Sequence, residues 1–151
     1  MPDTAVAVTD PKYARYVGTP LPPGKPFTVP ADHVKKFAES VGDLRPEYLQ
    51  GDPAPPIYAS AYIARTMNLG SALGSLQKFV KRLDKVVHGS QTYEFFEPVR
   101  AGDALTTSGK LTRIEEKGGK LWVTFELETQ NQHGKRVSRS NLTFVVREGG
   151  F

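Results

Sequence analysis

From Val86 onward, apolar and polar positions alternate. Tyr93 and Phe95 start the pattern, and Leu105, Thr107, Gly109 and Leu111 continue it. Leu121, Val123, Phe125 and Leu127 follow, then Leu142, Phe144 and Val146. A period of two is the mark of half-buried strands. Turns that each carry a glycine fall at 100–103, 117–120 and 132–135, so the strands join as an antiparallel run.

Before Val86 the spacing is helical. Val34, Phe37, Ala38 and Val41 stand at i, i+3, i+4 and i+7, one face of a helix. Asp32 is its expected N-cap. Gly42 is its expected end, because glycine enters the left-handed region without a Cβ penalty. A loop over 43–56 closes on Asp52-Pro53-Ala54-Pro55-Pro56. In IYASAYIARTMNLG, 57–70, apolar residues cover most of the circumference, which predicts a buried helix. SLQKFVKRLDK, 75–85, is a shorter, basic helical candidate. Phe27-Thr28-Val29 reads as a short strand inside the Pro/Gly-rich lead-in 17–30. Helices first and an antiparallel run second predict an α+β fold, a curved sheet packed on a buried helix.

The totals narrow the chemistry. With 151 residues, one domain with a real core is expected. A flexible arm is expected over 1–15 and the domain over 16–151. The net charge of +4 contains no long basic block, so neither a nucleic-acid nor a membrane partner is suggested. There is no cysteine, which excludes disulfides, thiolate metal sites and cysteine nucleophiles. The three histidines are scattered without a fitting carboxylate spacing, and no metal site is expected. No apolar run reaches membrane-spanning length. The N-terminal residues lack the pattern of a secretory signal, and a cytoplasmic location is expected.

Three segments in order carry a family resemblance: FAESVGDLRPEYL (37–49), APPIY (54–58) and VHGSQTYEFFEPVRAGD (87–103). Together they make the chain resemble the MaoC-like dehydratase family, in particular its amino-terminal, partner-type domains. The likeness extends over about residues 16–148. It implies the hot-dog fold, in which an antiparallel sheet wraps a long helix. It also implies reversible hydration of a trans-2-enoyl thioester to the (R)-3-hydroxyacyl thioester. Coenzyme A or an acyl carrier protein serves there as substrate carrier, and no further cofactor is implied. One group must activate water, and donors must hold the thioester oxygen as it becomes enolate-like.

In active family members a GDxNPxH-type loop supplies an aspartate and, five positions later, a histidine. The loop here is Gly42-Asp43-Leu44-Arg45-Pro46-Glu47-Tyr48. The aspartate is kept, Arg45 stands at the asparagine position and Tyr48 at the histidine position. A tyrosine with its ordinary pKa near 10 is a poor base at neutral pH. Asp43 is therefore the acid–base candidate, with the alternative that it only closes the helix. Tyr48 is expected as a channel wall or a loop anchor rather than a proton donor. His88 is a second catalytic candidate, its plainer role being a structural hydrogen bond. His33 and His133 are expected to be exposed and inert. The resemblance places backbone donors for the thioester oxygen at the start of the buried helix, Ile57, Tyr58, Ala59 and Ser60; the plainer role of Tyr58, Ala59 and Ser60 is core. Lys78, Lys81, Arg82 and Lys85 recur at helical spacing. They are either a solvated face or, at Lys81 and Arg82, a dock for carrier phosphates or an acidic carrier protein.

The expected function is that of a subunit of an (R)-specific enoyl-thioester hydratase that supports a catalytic hot-dog partner. A self-sufficient homodimer using Asp43 and a non-catalytic acyl-thioester-binding module are the alternatives. Pairing is expected on physical grounds as well, because a curved sheet leaves an edge strand open.

Overall fold

A computed structural model describes residues 9–151. The first eight residues of the expected arm lie outside it. Residues 11–15 do not belong to a loose arm. Pro11–Tyr16 forms a 3-10 turn capped by the Asp10 carboxylate, and Tyr13 is buried with its hydroxyl donating to Glu116 at 2.9 Å.

The elements are β1 (Pro20–Leu21), β2 (Phe27–Thr28), α1 (Ala31–Ser40), α2 (Pro46–Leu49), α3 (Ala59–Thr66) and α4 (Leu69–Leu76), followed by the long strands β3 (Val86–Phe95), β4 (Ala104–Lys117), β5 (Lys120–Gln130) and β6 (Arg136–Val146). They form one antiparallel sheet in the order β1-β4-β5-β6-β3, with β2 also pairing to β4. The α+β expectation holds, and three of the sheet's connections are the turns expected from the sequence. The alternation places Leu105, Leu111, Leu121, Val123, Phe125 and Leu127 on the buried face. Gly109 also has a packing reason: a Cβ there would lie 2.1 Å from the Glu126 carbonyl oxygen.

The buried face also carries a row of hydroxyls. Thr66 donates to the Tyr62 carbonyl at 2.6 Å, which spends its single proton. Thr107 therefore donates to Thr66 at 2.5 Å, and Thr129 to Thr107 at 2.7 Å. Each buried hydroxyl has a partner, as a low-dielectric core requires.

Three helical expectations need correction. Asp32 is not the N-cap of α1. Pro30 holds that position without a side-chain hydrogen bond, and Asp32 sits in the first turn. There its charge still complements the helix dipole. Val41 is the C-cap and is half exposed, although Gly42 does end the helix at φ +75°. The segment 57–70 is not one helix. Pro56–Tyr58 is a 3-10 turn, α3 stops at Thr66, and Met67 is extended. Asn68 then caps α4 by accepting from the Ser71 amide at 3.0 Å. Ile57 and Leu69 are about half exposed as a result.

The expected basic helix over 75–85 is absent as well. Only Ser75 and Leu76 are helical, as the end of α4, and Leu83–Lys85 is a 3-10 turn. The amides of Lys81 and Arg82 both donate to the Gly150 carbonyl, at 2.7 and 3.2 Å. A long-range contact has replaced the local ladder that the spacing suggested. Lys78, Lys81, Arg82 and Lys85 therefore share no helical face.

Candidate functional site

The loop after α1 is built by its backbone. The Asp43 amide donates to the Ala38 carbonyl at 3.0 Å and that of Gly42 to Glu39 at 3.1 Å, which satisfies the last carbonyls of the helix. Pro46 then opens the short helix α2, as its fixed φ favours. The turn brings the three informative loop positions together. Arg45 Nε donates to Asp43 Oδ1 at 2.9 Å. Its guanidinium also stands 5.0 Å from the centre of the Tyr48 ring, within cation–π range. The residue at the asparagine position thus neutralises the carboxylate, and no imidazole lies beside it.

Tyr48 reaches a cleft of about 240 Å³ that it shares with the proline segment 53–56, Tyr62, Phe95, Phe96 and Val137. The lining is mostly apolar, as in small-molecule clefts generally. Tyr62 is buried, and its hydroxyl donates to Ser138 Oγ at 2.8 Å. Burial pushes its pKa up to about 12, so it is a neutral donor at physiological pH. Phe95 and Phe96 are exposed, 45% and 40%. The Arg136 guanidinium lies 4.1 Å from the Phe96 ring centre. Asp43 is not among the cleft's lining residues.

The start of α3 is tightly held. The Tyr58 amide donates to the Pro55 carbonyl at 2.9 Å, and the Ala59 amide bonds within the same turn. Ser60 turns its hydroxyl onto the Ile57 carbonyl at 2.9 Å and is exposed. The Tyr58 side chain is buried, and its pKa is pushed up to about 12 by that burial. Its hydroxyl lies 2.7 Å from His33 Nδ1, while Arg65 Nη2 is 3.2 Å from His33 Nε2. Because Arg65 can only donate, Nε2 accepts and Nδ1–H donates to Tyr58. His33 is thus half-buried and locked in place, which corrects the expectation of an exposed, inert histidine.

The remaining candidates lie apart from the cleft. His88 is exposed on β3, with Nε2 3.2 Å from Gln91 Oε1 and its ring edge-on to Phe144. Arg82 is ion-paired to Asp84 at 2.6 Å. Lys81 lies beside Lys78 in a shallow groove with Tyr16 and Phe79. His133 is exposed in the β5–β6 turn. Among the described residues no three His, Asp or Glu side chains gather as metal ligands, and no helix is long and apolar enough to cross a membrane.

Two contributors were not anticipated from the sequence. Arg45 as the partner of Asp43 could have been found from the i, i+2 opposite charges in a turn. Phe95, the last residue of β3, lines the cleft together with Phe96, and the consecutive aromatics at a strand end are the signal that could have found it. The His33–Tyr58 bond had no local signal.

Known proteins share this architecture. The chain is 30% identical over 139 residues to a UPF0336 protein of Streptomyces avermitilis, covering 87% of this chain and 93% of that one. The HadBC (3R-hydroxyacyl-ACP dehydratase) complex of Mycobacterium tuberculosis superposes with a TM-score of 0.69 at 19% identity, covering 86% of this chain and 96% of that one. The MaoC-like dehydratase of Rhodospirillum rubrum gives 0.66 at 20% identity, covering 89% and 94%. The model of the FAS1-like dehydratase domain region matches residues 15–140. With a family match along most of its length, the chain belongs to the FAS1-like dehydratase domain region family, and it shares the hot-dog fold of the MaoC-like dehydratases.

Proposed function

We propose that this chain is the supporting subunit of a heteromeric (R)-specific 2-enoyl-thioester hydratase, or 3-hydroxyacyl-thioester dehydratase. The observation that carries this reading is the Asp43–Arg45–Tyr48 cluster. The carboxylate is held by a guanidinium, and the base position holds a tyrosine that faces the apolar cleft. A phenol is a poor base at neutral pH, and the Asp43 carboxylate is engaged by Arg45 rather than by a histidine. In the proposed assembly a catalytic hot-dog chain supplies the histidine that takes the proton from water. Water adds to C3 of the enoyl thioester, and a proton arrives at C2. This chain contributes Tyr48, Tyr62, Phe95 and Phe96 as walls that hold the acyl tail and exclude water.

The open sheet edge favours such a partner. β3 ends the strand order, so its outer side has no neighbouring strand among the described residues. Its last residue, Phe95, lines the cleft. A chain docked along β3 would border the cleft and cover the edge at once. The HadBC similarity supports this reading, since that neighbour is a complex.

The decisive experiment follows the loss of enoyl absorbance with crotonyl-CoA and with a longer enoyl-CoA. The purified chain is assayed alone and then mixed with a MaoC-like chain that carries the intact aspartate–histidine loop. Turnover is expected only in the mixture, with co-elution of the two chains. Turnover by this chain alone that is abolished by Asp43→Asn would overturn the reading in favour of a self-sufficient homodimer.

A further inference from the structure

The outer face of the sheet carries a second cavity. Glu115, Trp122, Val145 and Val87 lie in register across β4, β5, β6 and β3, and Arg113, Thr124, Thr143 and Ser90 form the next row. Trp122 and Thr124 alternate with the buried Leu121, Val123 and Phe125, so they face away from the acyl cleft. Between the rows and the β4–β5 hairpin lies a trough of about 440 Å³, within the size range of small-ligand sites.

The chemistry of the trough is mixed in a specific way. Trp122 is 36% exposed, and its indole N–H is spent on the Lys117 carbonyl at 3.3 Å, which anchors the ring. The floor is hydroxylic: Thr124 and Thr143 Oγ1 atoms are 2.9 Å apart, and Ser90 lies beside Thr143. Arg113, Lys117 and Lys120 line the same trough, against the single acid Glu115. Glu115 pairs with Arg113, while Lys117 and Lys120 have no carboxylate partner among the described residues. The Arg113 Nε–H is sequestered from solvent and meets no acceptor.

We propose that this trough binds a mononucleotide, with the base lying on the Trp122 indole and the phosphate held by Arg113, Lys117 and Lys120. An aromatic face gives sequence-tolerant stacking to any base, and clustered cations, two of them without a carboxylate partner, suit a phosphate. The floor hydroxyls are placed for a ribose. The site is independent of the enoyl-thioester reading, because no residue of the trough lines the acyl cleft.

Trp122 is the only tryptophan of the chain, so its fluorescence reports directly on the trough. The test titrates the full chain with AMP, adenosine and ribose 5-phosphate, by fluorescence and by calorimetry. Saturable quenching by AMP is expected, with adenosine and ribose 5-phosphate each about tenfold weaker or more. Lys117→Glu with Lys120→Glu should weaken AMP about tenfold, and so should Trp122→Leu by calorimetry. Both variants should keep the wild-type melting profile and the hydratase activity of the mixture. The proposal is overturned if AMP gives neither quenching nor heat up to its solubility limit, or if ribose 5-phosphate binds as tightly as AMP. It is overturned equally if Trp122 resists a soluble quencher and Trp122→Glu halves the mass in solution, since the face would then be an interface between copies.

Discussion

At the scale of single residues, the loop around Asp43 carries the proposed supporting role. The ion pair of Arg45 with Asp43 is exposed, and such pairs add little to stability; its consequence is chemical. Restoring the family pattern with Arg45→Asn and Tyr48→His should free the carboxylate and supply an imidazole. Measurable enoyl-CoA hydration by the double variant alone is the expected outcome, and no turnover from a folded double variant would show that Asp43 is misplaced for catalysis. Tyr62 offers a second check. Tyr62→Phe leaves the buried Ser138 hydroxyl without its donor and should cost about 1–2 kcal/mol in urea unfolding.

The buried tyrosines also couple stability to alkaline pH. Tyr58 and Tyr62 both have folded pKa values pushed up to about 12 from an ordinary value of 10. Burial disfavours the phenolate in each. The unfolded chain therefore loses these protons first, and the stability they confer is complete below about pH 10. It falls as pH rises toward about 12, because unfolding then releases protons. Ultraviolet titration should resolve a late-ionising class of phenols whose onset coincides with unfolding. Tyr62→Phe should shrink that class; an unchanged titration would refute the assignment.

At the scale of elements, the strands were readable and the helices only partly so. The alternation from Leu105 to Val146 specified which face is buried, since every second side chain shares a face. Gly109 fits the pattern for a reason the pattern does not contain, the close approach of the Glu126 carbonyl. Gly109→Ala should cost about 2–3 kcal/mol by overpacking, read from urea midpoints, whereas a neutral result would mean that β5 yields. The apolar circumference of 57–70 suggested one long helix. Two helices form because Asn68 caps the second one, and Asn68→Ala should destabilise the chain by about 1 kcal/mol. Cap competition inside an apolar run is hard to read from periodicity, because Asn is tolerated in both settings.

At the scale of the whole molecule, the open edge of β3 and the exposed aromatics beside it are one feature. Phe95 and Phe96 border both the cleft and the unpaired edge. Phe95→Glu with Phe96→Glu should leave the fold intact, since both residues are exposed. In the proposed assembly it should abolish co-elution with the catalytic chain and the activity of the mixture. Retained activity would place the partner elsewhere.

The sequence by itself determined the α+β class, the strand faces, the hairpin turns and the loop with its missing histidine. Each of these is written in local spacing or in a contiguous motif, where a few neighbouring residues carry the physical cause. The tertiary structure alone decided the rest. It set Arg45 against Asp43 and Tyr48, locked His33 between Tyr58 and Arg65, and separated His88, Lys81 and Arg82 from the apolar cleft. It also gave the amides of Lys81 and Arg82 to Gly150 and so removed the expected basic helix. These outcomes depend on which distant groups the sheet and helices bring within a few ångströms, and no local pattern encodes that choice.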